Sequence, residues 1–189
     1  MAKDEHTDGS VTAMRLFVGL QPSQAVREAL TSLQERLRAA GVEGRYLDPA
    51  NLHLTLAFIG EWPEDVTACL PPVGEPFALT LSHIGVFQRA KVLWAGVEPC
   101  PALDALAARV RQNLQAAGIP FDPQPFNPHI TLIRKPVLPD AALLGTIRPQ
   151  PAAMTVGETC LYRSERTENG MAYTVIGKMT TEGVQKCGH

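Results

Sequence analysis

The sequence lacks any run of apolar residues long enough to cross a membrane as a helix, for which about 20 residues are needed. It also lacks a CxxC pair, because its four cysteines lie far apart: Cys69, Cys100, Cys160 and Cys187. The usual zinc-binding spacings are therefore missing, and the cysteine pattern is typical of a reducing compartment. We expect a cytoplasmic protein that contacts no membrane.

An excess of charge of either sign is missing as well. The chain has 17 Lys and Arg residues and 19 Asp and Glu residues, for a net charge of −2. This balance excludes the broad basic surface with which proteins wrap long nucleic-acid duplexes, but it permits a local contact with a nucleic acid. With 45% hydrophobic residues, the composition is that of an ordinary globular protein.

No long linker divides the 189 residues into independent domains. We predict a disordered extension over residues 1–13, one domain over residues 14–180 and a C-terminal tail over residues 181–189. The extension is polar and lacks the apolar segment of a signal peptide. We expect no function for His6, which lies within it, and we expect the protein to be a monomer.

What the sequence does contain is one short motif written twice. Residues Asn51–Leu56 read NLHLTL, and residues Asn127–Leu132 read NPHITL, 76 positions later. Asn, His, Thr and the final Leu recur at the same internal spacing. Internal repeats of this kind decide the fold, so the rest of the chain has to be compared with itself at the same offset.

The repeat extends well beyond the motif. At an offset of 77, Leu16–Pro22 matches Leu93–Pro99, and at an offset of 75, Leu79–Leu81 matches Met154–Val156. The chain thus contains two copies of a strand, a helix, a His-strand and a further strand. Because hairpins occur beside the alternating strands and helices, we predict an α+β fold. It is bilobal, with a pseudo-two-fold axis, two mostly antiparallel sheets and flanking helices around a central groove.

Helical spacing and caps predict two long helices. The first follows Ser23 and ends at Gly41, with Val26, Leu30, Leu33 and Leu37 on its apolar face. The second carries Leu103, Leu106, Val110 and Leu114 and ends at Gly118. We also predict a short helix over Pro63–Leu70, a helical turn near Ala141–Leu144, and a final strand over Ala172–Met179.

In a strand, successive side chains point to opposite faces. His53 and Thr55 therefore lie on one face of the first His-strand, and His129 and Thr131 lie on one face of the second. A neutral imidazole accepts a proton and an imidazolium donates one, so two histidines supply a general base and a general acid. The two Thr hydroxyls are candidate hydrogen-bond donors to an oxyanion, and a phosphodiester fits this combination best.

Other interpretations of the histidines carry less weight. A single His on a strand is more often structural, but two matched copies favour function. Asp and Glu do not cluster near either motif, which leaves a Ser-His-Asp triad and a metal site without their usual members. We predict that His83 lies on the surface or behind the site, and we expect no metal ion and no other cofactor.

Further candidates for substrate binding are less certain from the pattern alone. Strict alternation would point Arg134 away from Thr131, although a bend in the strand would bring its guanidinium to a phosphate. Aromatic side chains are more often core than platforms for a base, a rule that applies to Phe17, Phe58, Phe87, Trp94 and Tyr162. Of these we include Phe17 among the candidate substrate-binding residues.

Two polar loops carry positive charge on this slightly acidic chain. Gln88–Lys91 contains Arg89 and Lys91, and Arg163–Gly170 contains Arg163 and Arg166. These charges are either solvated loop residues or a rim that holds the phosphates of a nucleic acid by electrostatic attraction.

The sequence resembles the two-histidine (2H) phosphoesterase superfamily, and within it the RNA 2′,3′-cyclic phosphodiesterases, also called 2′-5′ RNA ligases. The segments that carry the resemblance are Arg15–Leu20, Asn51–Gly60, Val92–Val97 and Pro128–Arg134. The resemblance implies metal-independent hydrolysis of a terminal 2′,3′-cyclic phosphate of RNA to a 2′-phosphate. It also implies that His53 donates a proton to the departing 3′ oxygen and that His129 activates water.

Two alternatives remain open at this point. One is a protein that binds or ligates RNA ends, for which hydrolysis is incidental. The other is a 2H phosphodiesterase that acts on small cyclic nucleotides or on sugar cyclic phosphates.

Overall fold

The computed structural model describes residues 13–168, 170–181 and 183–186, in which the chain forms ten strands and three helices. The strands are β1 (Met14–Leu20), β2 (Glu43–Tyr46), β3 (Leu54–Trp62), β4 (Phe77–Phe87), β5 (Val92–Val97), β6 (His129–Val137), β7 (Ala153–Val156), β8 (Glu158–Thr167), β9 (Gly170–Thr180) and β10 (Gly183–Lys186). The helices are α1 (Gln24–Ala39), α2 (Pro101–Ala116) and α3 (Leu143–Thr146). Residues 1–12 of the predicted extension, with His6, lie outside the described residues.

Both long helices begin and end where the sequence predicts. Ser23 caps α1 by accepting a hydrogen bond from the main-chain N–H of Val26 at 3.3 Å. Gly41 follows α1 with a φ of +82°, and Gly118 follows α2 with a φ of +70°, a conformation that glycine adopts without strain. None of the described helices is long and apolar enough to cross a membrane.

The two helices cover one face of the sheet. Their buried apolar residues share a single core with Leu54 and Leu56 of β3 and with Ile130 and Leu132 of β6. The helical members of this core are Val26, Leu30, Leu33, Leu37, Leu103, Leu106, Val110 and Leu114. Because side chains alternate along a strand, the predicted His and Thr side chains are left on the opposite, open face.

The order of the strands reflects the repeat. The sheet runs β10-β9-β8-β1-β3-β6-β5-β4-β7, and β2 pairs separately with β6. All of these pairings are antiparallel. The half β8-β1-β3 and the half β4-β5-β6 contain equivalent strands and meet at β3 and β6. The predicted α+β, mostly antiparallel fold is confirmed, and the two half-sheets join edge to edge into one continuous curled sheet.

Several elements depart from the prediction in detail. The sequence analysis missed β2, because three of its four residues are exposed and its sequence, EGRY, has no apolar alternation. It also placed β10 in the C-terminal tail. The predicted helix over Pro63–Leu70 is only a single 3₁₀ turn at Thr67–Cys69, whereas the helical turn near Ala141–Leu144 is present as α3.

Candidate active site

The two predicted histidines lie next to each other where the two halves of the sheet meet. His53 directly precedes β3, and His129 is the first residue of β6. The two strands share one main-chain pair, Leu54 with Ile130, and these are the residues that directly follow the two histidines. The repeat therefore brings its own two motifs together at the joint.

The register at this joint also places the two threonines. In an antiparallel pair that aligns Leu54 with Ile130, His53 lies across from Thr131 and Thr55 lies across from His129. All four side chains line one open groove of about 1840 Å³. The structure thus assembles two imidazoles and two hydroxyls on one surface.

Both imidazoles are held in the same way. Nδ1 of His53 lies 2.7 Å from the main-chain oxygen of Asn51, and Nδ1 of His129 lies 2.7 Å from that of Asn127. A carbonyl oxygen only accepts hydrogen bonds, so each Nδ1 carries the proton and donates it. Nε2 is then the nitrogen available to a substrate: it accepts a proton in the neutral ring and donates one in the imidazolium.

The surroundings favour the neutral form of both rings. The pKa of His53 is lowered from 6.5 to about 4, mainly because the ring is buried. The hydrogen bond to the Asn51 carbonyl raises this pKa, and the positive charges of Arg134 and His129 lower it further. Burial also lowers the pKa of His129, against the effect of the Asn127 carbonyl. In the unliganded protein both histidines are therefore bases at neutral pH, and an anion bound beside either one would raise its pKa.

Aromatic rings surround His53. The ring centroid of Phe17 lies 4.5 Å from that of His53, that of Tyr173 lies 4.9 Å away and that of Tyr162 lies 5.6 Å away. Phe17 also stacks on Tyr162 at 4.7 Å and is only 3% exposed. The ring of Phe17 thus packs between the imidazole and Tyr162, and little of its surface is exposed to a substrate.

His129 has a corresponding pair of rings. Phe87 lies 4.8 Å from it and Trp94 lies 6.2 Å from it. The repeat alignment matches Trp94 with Phe17 and Phe87 with Tyr162, so each lobe uses equivalent aromatic positions beside its histidine. His83 is exposed at the surface, as predicted. Its ring packs edge-on against that of Trp94, with 5.4 Å between the two ring centroids.

A β-bulge directs Arg134 into the groove. Leu93 pairs with Ile133, but the next residue, Trp94, pairs with Thr131, so one extra residue, Leu132, is inserted in β6. Leu132 and Ile133 are consecutive and both fully buried, and the alternation resumes with the next residue, Arg134, which lines the groove. The bend that the sequence analysis required for this arginine is present.

The first lobe has the same bulge with a different residue at its end. Leu56 and Ala57 are consecutive buried residues of β3, and Phe58 follows on the groove face. Phe58 is therefore the equivalent of Arg134: it lines the groove, and it is also half-buried against the cluster of Phe17, Cys160 and Tyr162, so the prediction of a core residue is met in part. The guanidinium of Arg15 lies 5.0 Å above its ring. The sequence analysis missed Arg15 as a groove residue because it lies in the preceding strand.

A hairpin from the C-terminal part of the chain forms one wall of the site. The side chain of Asn51 donates a hydrogen bond to the Met171 oxygen at 2.7 Å and accepts one from the Tyr173 N–H at 3.2 Å. Asn51 thereby attaches β9 to the His53 motif and brings the Tyr173 ring against the imidazole. Neither Asn51 nor Tyr173 was predicted as a site residue, although the repeated Asn was a signal.

The groove is rich in arginine. Seven arginines line it: Arg15, Arg38, Arg45, Arg111, Arg134, Arg163 and Arg166. Only four acidic residues do so: Asp48, Glu61, Asp122 and Glu165. The predicted basic loop Arg163–Gly170 belongs mostly to β8, which extends to Thr167, and its Arg163 and Arg166 line the groove. Arg89 and Lys91 of the other predicted loop do not.

No group of three or more His, Cys, Asp or Glu side chains suited to a metal ion occurs among the described residues. The two histidines thus have no carboxylate or third imidazole beside them that would complete the usual donor set for zinc.

Comparison with known proteins places the chain in a family. The model of the 2′-5′ RNA ligase superfamily matches residues 22–168, most of the chain. The chain belongs to this superfamily. Its member from Thermotoga maritima, named RNA 2′,3′-cyclic phosphodiesterase, is 30% identical over 182 residues, covering 90% of this chain and 97% of the relative. A Thermus thermophilus relative of the same name is 33% identical over 190 residues, covering 90% and 91%.

The fold agrees with that of a solved superfamily member. The crystal structure of Escherichia coli LigT complexed with 3′-AMP matches with a TM-score of 0.72 and 28% identity, covering 89% of this chain and 98% of LigT. The resemblance predicted from the two His motifs is therefore confirmed at the level of family and fold.

Proposed function

We propose that the protein hydrolyses the 2′,3′-cyclic phosphate at RNA ends to a 2′-phosphomonoester by general acid–base catalysis with two histidines. The observation that carries the proposal is the pairing of the two His motifs across β3 and β6, with both Nε2 atoms left for a substrate. The names of the relatives, RNA 2′,3′-cyclic phosphodiesterase, supply the substrate class.

The reaction needs one proton removed and one proton delivered. His129 Nε2 takes a proton from water while the water oxygen attacks phosphorus. The bond between phosphorus and the 3′ oxygen breaks, and His53 Nε2–H gives its proton to that oxygen. The phosphate stays on the 2′ oxygen, and each histidine ends in the protonation state in which the other began, so proton exchange with solvent resets the pair.

The local environments support this division of roles. Burial, together with the charges of Arg134 and His129, lowers the pKa of His53 to about 4, so its protonated form gives up a proton readily, which suits delivery of a proton to a leaving oxygen. The anionic phosphate bound between the rings raises the pKa of His53 and thereby loads it with the proton that it delivers. His129, with fewer rings around it, remains a base for water.

The groove also contains groups that stabilise the charge developing on phosphorus. The hydroxyls of Thr55 and Thr131 lie across the joint from the histidines, and Arg134 provides a guanidinium on the same face. Donors fixed in place before the reaction stabilise a developing oxyanion more than water does, because they need no reorganisation. Phe17 acts through His53, since its buried ring sets the position of the imidazole.

This mechanism requires no metal ion. We expect hydrolysis of a 2′,3′-cyclic mononucleotide to continue at the same rate in EDTA. Loss of activity on chelation that zinc or manganese restores would contradict the acid–base proposal.

The position of the phosphate in the product tests the orientation of the ribose. If His53 protonates the 3′ oxygen, 2′,3′-cyclic AMP yields 2′-AMP. Phosphorus NMR of the reaction mixture distinguishes the two monoesters, and a 3′-phosphate product would overturn the assigned roles.

A comparison of substrates separates hydrolysis from the alternatives. Hydrolysis rates are measured for a cyclic-ended oligonucleotide, a cyclic mononucleotide and a sugar 1″,2″-cyclic phosphate. The oligonucleotide is also incubated with an RNA that has a 5′-hydroxyl. The proposal expects the oligonucleotide to give the highest kcat/KM and water to be the main acceptor. A predominant ligated product would favour an RNA-joining function instead.

A further inference from the structure

Most of the groove arginines are already engaged by the protein. Arg163 pairs with Glu165 at 3.1 Å, and Arg111 donates hydrogen bonds to the main-chain oxygens of Leu56 and Gln124. Arg15 and Arg38 lie over aromatic rings, Arg38 at 4.1 Å from the centre of Tyr46. Among the described residues, the groove arginines without such a partner are Arg45, Arg134 and Arg166.

Two of these three lie side by side. Arg45 is in β2 and pairs directly across from Arg134 in β6. Facing residues of an antiparallel pair have Cα atoms about 5 Å apart and project from the same face of the sheet. Both side chains line the groove. The pair therefore presents two guanidinium groups next to the histidines.

This arrangement occurs in only one half of the described fold. β2 pairs with β6 outside the duplicated strand order, and the equivalent segment of the second copy, residues 120–123, contains no strand. Like charges directly opposite each other in a sheet are unfavourable. Neither Glu43 nor Asp48, the nearest acidic residues in sequence, lies within ion-pair distance of Arg45, and the Asp48 carboxylate accepts a hydrogen bond from the Ala50 N–H. Arg45 is exposed in the groove without an acidic partner among the described residues, so its guanidinium is available to an anionic ligand.

The two arginines differ in their distance from the two histidines. The charge of Arg134 lowers the pKa of His53, so Arg134 acts on the proposed catalytic pair, whereas Arg45 is not among the groups that shift this pKa. Arg45 lies farther out along the same face. Arg45 and Arg134 line the same groove, so an RNA strand that had its terminal phosphate between the histidines and ran along β2 would pass over Arg45.

We propose that Arg45 binds the phosphodiester that joins the terminal nucleotide of the RNA to the preceding one. The inference rests on the proposed hydrolysis of cyclic RNA ends and adds the direction in which the RNA leaves the site, along β2. A cyclic mononucleotide lacks this phosphodiester, so Arg45 is a residue that discriminates RNA ends from mononucleotides.

The test compares two substrates that differ by one nucleotide: a dinucleotide with a 2′,3′-cyclic phosphate and the corresponding cyclic mononucleotide. In Arg45→Gln the ratio of their kcat/KM values, dinucleotide over mononucleotide, should fall about tenfold, the value of one charged hydrogen bond. The slope of log(1/KM) against log[salt] for the dinucleotide should become less steep by about 0.7.

Arg45→Lys, which keeps the charge, should retain most of the original slope. Arg89→Gln, with the same change of charge outside the groove, should alter neither quantity.

The possible results are distinct. An unchanged ratio in Arg45→Gln overturns the inference, whether both substrates weaken together or neither does. An equal fall in Arg89→Gln would show a general charge effect, and a fall in Arg166→Gln in place of Arg45→Gln would put the upstream phosphate on the β8–β9 side. Both would overturn it. If the unmodified protein hydrolyses neither substrate, the proposed function itself has failed.

Discussion

Leu54 and Ile130 face each other across the joint between the two copies of the repeat, and theirs is the one main-chain pair between β3 and β6. Each is fully buried in the common core, and each directly follows a histidine on the open face. The position of the two imidazoles is therefore fixed by core packing on the far side of the sheet. The proposed catalytic pair is thus held by two neighbouring strands of the sheet, which suits a reaction that depends on a fixed distance between acid and base.

Replacing either histidine should remove most of the activity. His53→Ala and His129→Ala should each lower kcat by about 10²–10⁴-fold, because each removes one proton transfer. The double variant should lose little more than either single one, since the two residues act as a unit. His83→Ala is the matched control, because His83 lies behind Trp94 and outside the groove lining. Near-normal turnover in either single variant on a cyclic mononucleotide would refute the assignment.

The pH dependence should be bell-shaped with its maximum on the acidic side. The productive form needs one histidine protonated and one neutral. Both pKa values are lowered below 6.5, that of His53 to about 4. The value of kcat/KM should therefore peak below pH 6.5 and decline about tenfold per pH unit above the higher pKa. A maximum at pH 8 or above would contradict the pKa directions inferred from burial.

The acidic limb of that profile needs a control for unfolding. Both histidines bind protons less readily in the folded protein than in the unfolded chain. Acidification from pH 6.5 toward 4 therefore favours the unfolded state, and the free energy of unfolding should fall over this range. Urea unfolding at each pH identifies the points at which the protein is still folded.

Arg134→Gln should change both binding and the acidity of the site. Loss of one charged hydrogen bond to phosphate should lower kcat/KM about 10-fold or more on cyclic mononucleotide and oligonucleotide alike. Because the Arg134 charge lowers the pKa of His53, its removal should raise that pKa. NMR titration of the His53 ring proton measures the shift, and Arg89→Gln provides the charge-matched control. An unchanged His53 pKa would mean that Arg134 lies too far away to contact the reacting phosphate.

The sequence predicted the parts of this structure that the repeat specifies. Both long helices, the two His-strands and the meeting of their motifs at a central groove follow from periodicity and self-comparison, whereas the direct pairing of the two strands within one sheet does not. The repeat could not reveal what occurs only once: β2 with Arg45, and the attachment of the predicted final strand, β9, to the site through Asn51, which places Tyr173 beside His53. The cytoplasmic location and the monomeric state stay predictions.

The bulges explain the other differences. Alternation alone pointed Arg134 away from the site, and the general rule for aromatics put Phe58 in the core. An inserted residue, Leu56 in β3 and Leu132 in β6, reverses the face of the residues that follow it up to the next irregularity of the strand. The two consecutive buried residues in each strand, Leu56–Ala57 and Leu132–Ile133, are the trace that a bulge leaves in the sequence. Both pairs are apolar, and a search for doubled apolar positions would have detected them.

Gly19 provides a test of how closely the strands beside His53 must approach. It lies in β1, opposite Thr55, and a Cβ at this position would lie 2.6 Å from the main-chain oxygen of Leu54. That oxygen belongs to a backbone fixed by the core, so it has no room to move away. Gly19→Ala should therefore displace β3 where His53 precedes it, lowering kcat and also the free energy of unfolding by about 1–3 kcal/mol.

Gly145→Ala in α3 is the matched control: its Cβ would meet nothing within 4 Å, so it should leave both quantities near those of the unmodified protein. Full activity in Gly19→Ala, measured together with urea unfolding, would mean that the joint tolerates a shift and that the spacing of the two histidines is less strictly set than the packing implies.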